Sequence, residues 1–259
     1  MASGDQWMQA LAHDGVAILR SVVDPRLLVA ARALIAAQLE SDLSSASRQQ
    51  VEKWTARSFV PGIESDSRLR DLFDRSPLTQ MAGEALSPNR AAVIERVQVQ
   101  VRLAADGPYE QLAGMQPVKQ WHCDGISCRH LPRGTLNTFQ LLLGILLSDV
   151  EDVTAGAAQF KLGGHVAMSR HFAGGGTTPA DREVPPTVDD LPSVAFTGQA
   201  GDVVIAHHLT PHAVGANSST DNRVMAYARV RVEHHDQIAS DQLTEPWIAM
   251  PHVTSRYPS

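Results

Sequence analysis

The sequence predicts a mainly β fold with flanking helices: a double-stranded β-helix core of the jelly-roll or cupin-like barrel kind, with N-terminal helices packed on one sheet. Three observations predict it. Apolar residues recur at helical spacing before about residue 90 and at a spacing of two from residue 93 onward. Several short strand candidates then follow, with turn signals between them. No Pro-, Gly- or Ser-rich linker divides the 259 residues, so one domain over 1–259 is expected, with a helical part 5–90, a β core 91–235 and a tail 236–259.

Taken in order, residues 5–40 read as helical. Asp24 before Pro25 is a cap followed by a first-turn proline, and Leu28, Ala31, Ile35 and Leu39 form one stripe. The stretch 41–60 begins polar and Ser-rich and reads as a loop. A second helical region covers roughly 66–86 and ends near Ser87-Pro88. Val93, Val97, Val99, Val101 and Leu103 then alternate with Arg96, Gln98, Gln100 and Arg102, the pattern of a half-buried strand. The stretch 139–147 is almost wholly apolar and suits a central strand. Further strands are expected at 157–161, 194–198, 202–208 and 224–232; the last sets Val224, Ala226, Ala228, Val230 and Val232 against Arg223, Met225, Tyr227, Arg229 and Arg231. Residues 173–193, with three consecutive glycines and four prolines, interrupt the strands as a lid or binding loop.

Composition narrows the function classes. The net charge of −6 and the lack of a basic run disfavour nucleic acid and anionic membranes as partners. No apolar stretch reaches ~18 residues, and the N-terminus carries no signal-like core. Two cysteines, Cys123 and Cys128, cannot build a disulfide framework, so a cytoplasmic protein, monomer or homodimer, is expected. Aromatic residues make up 5%, too few for a base-stacking platform.

Four residues carry the chemistry. His122 and Asp124, two apart on an extended chain, project the same way and present nitrogen and oxygen to one ion. His212, after Pro211, adds a third ligand, and two imidazoles with one carboxylate form the facial set that non-haem iron oxygenases use. Arg223 supplies a guanidinium; if its strand face turns inward, burial demands an anionic partner such as a dicarboxylate cosubstrate. His-x-Asp alone is a weak signal, and the chain holds a second copy at His234 and Asp236, read as a solvated surface turn. Without Asp124 and Arg223, the histidines 207, 208 and 212 read as ordinary loop residues. A zinc site from His122, Cys123, Cys128 and His130 lacks the usual spacing and leaves Arg223 unexplained; Cys123 is expected to turn into packing.

The order His122-x-Asp124 … His212 … Arg223 resembles the phytanoyl-CoA dioxygenase family of iron(II)/2-oxoglutarate oxygenases. Residues 15–35 resemble its Gly-aliphatic segment and following helix. The runs Ser148-Asp149-Val150 to Gly156-Ala157 and Phe160 to His165 are similar to its Asp … Asn-Gly-Ala … Pro-Gly-Ser-His run, and Gly201-Asp202 and Asn217 also agree with it. The likeness covers about 15–235. It implies iron(II) held by His122, Asp124 and His212, with 2-oxoglutarate and dioxygen as co-reactants. It also implies that Arg223 binds the C5 carboxylate, with Gln100, and less directly Gln98, touching the cosubstrate. The chain departs from the pattern at Leu162 and Gly164, at Ala213-Val214, and at Leu143-Gly144-Ile145, where a common aromatic is missing.

The expected function is oxidation of a small molecule by hydroxylation or a related C–H reaction such as cyclisation, desaturation or epimerisation. A tailoring step in bacterial secondary metabolism fits best, with Trp121 and Met115 as substrate contacts. Asp124 argues against halogenation, which needs a small residue there. The alternative is a non-oxidative, cupin-like isomerase or ligand-binding module, which has no use for Arg223. An acyl-CoA substrate lacks a basic patch to receive it.

Overall fold

The computed structural model describes residues 6–126, 135–177 and 184–258. Its β elements form two antiparallel sheets. The larger runs β1 (Val16–Leu19), β7 (Val203–His207), β4 (Leu141–Leu146), β9 (Arg223–Val230) and β2 (Gln98–Arg102). The smaller runs β3 (Lys119–His122), β8 (His212–Val214), β5 (Ala158–Lys161) and β6 (Ser193–Phe196). The jelly-roll-like arrangement is therefore two facing sheets rather than a closed barrel. The apolar run read as a central strand is β4, third of five and fully buried.

Alternation along the strands decides where each core lies. Leu141, Leu143, Ile145, Ala226, Ala228 and Val230 face the helices, while Leu142, Leu146, Met225 and Tyr227 face Phe160 and Phe196 of the smaller sheet. The helices covering the outer face are α1 (Gln6–Asp14), α2 (Pro25–Leu43), α4 (Ser67–Asp74), α5 (Leu78–Leu86) and, from the tail, α9 (Pro251–Arg256). Asp24 caps α2 by accepting from the Arg26 amide, and Leu28, Ala31, Ile35 and Leu39 are its buried stripe. No described helix is long and apolar enough to cross a membrane.

Four local differences from the sequence reading have physical causes. The helix expected over 5–40 is broken by β1, because Gly15 at φ +76° ends α1 and Val16 to Leu19 pair with β7. Tertiary pairing there overrides helical propensity. The expected loop at 41–60 contains α3 (Arg48–Ala56), started by a capping box between Ser47 and Gln50. The region 66–86 is two helices, parted at Ser76-Pro77. The strand expected from residue 93 begins at Gln98, and Val93 stands exposed at the mouth of a cleft.

Residues 178–183 of the expected loop 173–193 lie outside the described residues. Before them stands α7 (Gly164–Ala173), a helix that the sequence reading did not include; after them Val184 and Val188 are buried with Met168 and Leu209.

Candidate metal centre

Antiparallel pairing of β3 with β8 brings His122 directly opposite His212. Their rings lie 4.2 Å apart between centroids. Each ring sets its Nδ1 against a carbonyl, His122 on Gln120 at 2.8 Å and His212 on Thr210 at 3.1 Å. A carbonyl only accepts, so these contacts place the ring protons on Nδ1 and make Nε2 the ligand atom of both. Asp124 follows β3 on a tight turn. Gly125 adopts φ +79° there with no room for a Cβ against the Asn137 carbonyl, and the Asn137 amide donates to the Gly125 carbonyl. Asp124 Oδ1 then stands 3.5 Å from His122 Nε2 and 3.8 Å from His212 Nε2.

One ligand atom from each residue falls within 4.8 Å of the others, and all three residues are buried. His122 Nε2 is buried with no hydrogen-bond partner, an arrangement costly in a metal-free protein. An ion roughly 2.1 Å from each ligand requires these atoms to move inward by less than about 1 Å. The set of two neutral imidazoles and one carboxylate suits iron(II) and leaves positions for other ligands.

The other oxygen of Asp124 accepts from Arg229 Nη2, whose guanidinium also lies 5.6 Å over the Phe139 ring. This leaves Asp124 a single oxygen turned to the histidines. Behind the site, Phe160 stacks on His212 at 5.9 Å with 30° between the rings.

Arg223 is 2% exposed, and its Nε donates to the Gly156 carbonyl at 2.9 Å while Nη1 has no partner among the described residues. Burial pulls its pKa below the ordinary arginine value. It shares the inward face of β9 with Met225 and Tyr227. Gln98 and Gln100 both donate from Nε2 to the Arg57 carbonyl, Gln100 at 2.9 Å, and only Gln98 lines the cleft. Trp121 also lines it, with Lys161 Nζ 4.7 Å above its ring. Met115 is half-buried beyond the short helix α6 (Glu110–Ala113) and does not line the cleft. The cleft spans about 1650 Å³ and reaches His122, Asp124, Tyr227 and Arg229 from a mouth edged by Val93 and Val118.

Residues outside the triad sort differently from the sequence reading. The second His-x-Asp stands at the start of α8 (His235–Ile238), with Asp236 exposed and His234 half-buried; the intervening His235 is buried against the Gln140 side chain. Cys123 turns its thiol to the Leu209 carbonyl at 3.4 Å, among apolar side chains; Cys128 and His130 lie outside the described residues. Asp202 is structural: it accepts from the backbone amides of Ser21 and Gln199 and pairs with Arg20. Gly164 leaves room for the Pro211 ring, which a Cβ would strike, so the serine common there would not fit. Sequence reasoning passed over Tyr227 and Arg229 as site residues, although positions 223, 225, 227 and 229 follow one another at a spacing of two and so share one strand face.

Against known proteins, residues 11–225 match the family model described as phytanoyl-CoA dioxygenase. No curated protein matches the sequence. Three solved structures resemble the fold. The non-heme alpha-ketoglutarate-dependent epimerase SnoN from nogalamycin biosynthesis is 18% identical at a TM-score of 0.61, over 89% of this chain and 83% of its own. AviO1 from Streptomyces viridochromogenes Tue57 is 18% identical at 0.59, over 90% and 96%. EctD from S. alaskensis, solved with 2-oxoglutarate and 5-hydroxyectoine, is 16% identical at 0.58, over 87% and 74%. The family match covers most of the chain and includes all three triad residues, so the chain belongs to the phytanoyl-CoA dioxygenase family of iron(II)- and 2-oxoglutarate-dependent oxygenases.

Proposed function

We propose that this oxygenase oxidises a C–H bond of a large, ring-bearing small molecule, as a tailoring step in bacterial secondary metabolism. The observation that carries the reading is a buried His-Asp-His set with an open cleft reaching two of its residues, together with a buried arginine that pairs with no acid among the described residues and shares a strand face with Tyr227 of the cleft wall. The cleft volume of about 1650 Å³ exceeds the ~300–1,000 Å³ usual for small ligands, which supports a multi-ring substrate. The fold likeness to SnoN, a nogalamycin-biosynthesis epimerase, is in keeping with that class.

In this reading His122, Asp124 and His212 hold iron(II), and Arg223 takes the C5 carboxylate of 2-oxoglutarate. Bound iron(II), with 2-oxoglutarate and dioxygen, supplies the oxidant that removes hydrogen from the substrate, while the cosubstrate leaves as succinate and carbon dioxide. The chain's own part is placement and exclusion. Arg229 fixes one oxygen of Asp124 so that the other faces the ion. Phe139, Phe160, Met225 and Tyr227 line the interior with apolar surface, keeping bulk water from the reacting atoms. Trp121 and the apolar mouth residues would receive the substrate's rings, and the charged residues among them would orient its polar groups.

The test is succinate formation from 2-oxoglutarate by the iron(II)-loaded protein in air, beside the Asp124→Ala variant. The wild type is expected to form succinate and the variant to lose turnover. Equal succinate from both would remove Asp124 as a ligand, and none from a correctly folded wild type would remove the cosubstrate assignment.

A further inference from the structure

β2 and β9 are paired so that Arg102 lies directly opposite Arg223. Directly opposed side chains of an antiparallel pair share one face of the sheet, with Cβ atoms about 4.5–5.5 Å apart. Both arginines are 2% exposed, and Arg102 is the largest of the fully buried side chains. Among the described residues neither guanidinium forms an ion pair. Arg102 donates from Nη1 to the Pro117 carbonyl at 2.7 Å, and Arg223 donates from Nε to the Gly156 carbonyl. Both wrap the same residue, since a Cβ on Gly156 would stand 3.1 Å from Arg102 Cβ. Asn217, donating to the Arg102 carbonyl at 3.0 Å, closes the same corner.

Like charges directly opposed across strands are destabilising, and burying each without an acid costs more. Folding alone gives no reason to place two cations there. An anion between them would repay both costs, and among the described residues the buried Nη1 of Arg223 has no hydrogen-bond partner. Tyr227 links the corner to the metal centre, since it shares the inward face of β9 with Arg223 and lines the same cleft as Asp124. Burial and the adjacent Arg223 together lower the Arg102 pKa to about 10, a sign of how strongly the pair lacks negative charge.

We infer that Arg102 and Arg223 form one two-arginine receptor for the far carboxylate of the cosubstrate, making Arg102 a binding residue alongside the expected one. The inference rests on the cosubstrate reading above. It differs from it in assigning the second contact to Arg102 at the inner end of β2, rather than to Gln100 or Gln98, whose amides are engaged by the Arg57 carbonyl.

The test is calorimetric binding of 2-oxoglutarate to the full chain loaded with manganese(II), for the wild type, Arg102→Gln and Arg102→Lys. Losing one charge-assisted contact should weaken 2-oxoglutarate by about 10- to 100-fold in Arg102→Gln. Arg102→Lys, which keeps the charge but not the fork, should fall between. Manganese(II) affinity should stay within about twofold in both variants, because Arg102 touches no metal ligand. A merely structural Arg102 would lower the melting temperature and leave the 2-oxoglutarate affinity of the folded variant unchanged, and that result overturns the inference. Arg102→Lys serves the same purpose if Arg102→Gln does not fold. A wild type that binds manganese(II) but not 2-oxoglutarate overturns the underlying reading as well, so the two failures are told apart.

Discussion

The ring of Tyr227 on β9 lies over Gly144, its antiparallel partner on β4. A Cβ on Gly144 would stand 2.7 Å from Tyr227 Cε1 and 2.8 Å from Val204 Cγ1. The missing β4 side chain at Gly144 is what makes room for the Tyr227 ring. Tyr227 is buried with its hydroxyl 3.1 Å from Met225 Sδ.

From this contact, Gly144→Ala should destabilise the protein by about 1–3 kcal/mol through overpacking, measured by urea unfolding. The double variant with Tyr227→Leu should recover part of that loss, since the clash is with the ring edge. A double variant as unstable as the sum of the two single ones would mean that Val204, not Tyr227, sets the limit.

Arg229 offers a second test. It lies within the cleft wall and holds the Asp124 oxygen that faces away from the histidines. Arg229→Gln should weaken manganese(II) or cobalt(II) binding by about 10- to 100-fold, the usual effect of losing the partner that orients a ligand carboxylate. Arg229→Lys should retain part of the affinity, since the charge remains. Unchanged metal affinity in a folded Arg229→Gln would show that the ion orients Asp124 unaided.

Phe160 supports the triad from the other side. It is fully buried, opposite His212 in the β5–β8 register, and its ring stacks on the imidazole. Phe160→Ala should cost about 3–5 kcal/mol of stability, whereas Phe160→Leu should cost under about 1.5 kcal/mol. Both should also lower metal affinity by letting His212 rotate; chemical unfolding and metal titration on the same samples separate the two effects.

The legible parts of this fold were those where one periodicity met one environment. The alternation in β9 marks one apolar face against the helices and one carrying the arginines, and the apolar run of β4 marks a strand buried on both faces. The triad was legible because His122-x-Asp124 was read together with His212 and Arg223, whereas His-x-Asp alone occurs twice in the chain. β1 was hidden inside a helical pattern, since four apolar residues after a glycine fit either structure until β7 is there to pair with. Arg102 was hidden because an arginine on the polar face of an alternating strand reads as solvated, and only the covering sheet turns that face inward. Burial of His235 depends on Gln140, 95 residues earlier, a pairing no local pattern carries.

A cluster of buried histidines beside Trp247 predicts a loss of stability in acid. His165, His207 and His208 are buried, with rings 5.4 Å and 4.5 Å apart in that order, and Trp247 packs against the first two. Burial holds His165 down to about 4 and His208 to about 3, and pushes His207 well below its ordinary value. Facing groups do not offset this: the Ala12 carbonyl and Asp14 favour protonation of His165 and His13 opposes it, while His235 opposes protonation of His208. Because the folded-state values lie below the unfolded value of about 6.5, the unfolded chain binds more protons between them. Stability from these neutral imidazoles is therefore complete above about pH 6.5 and falls as the pH drops toward 4 and 3. Thermal melts of the metal-free protein should lose midpoint steadily from pH 7 to pH 4.5, and His208→Phe should flatten that slope while leaving the metal site in place. A slope unchanged by His208→Phe would assign the acid sensitivity to the carboxylates instead.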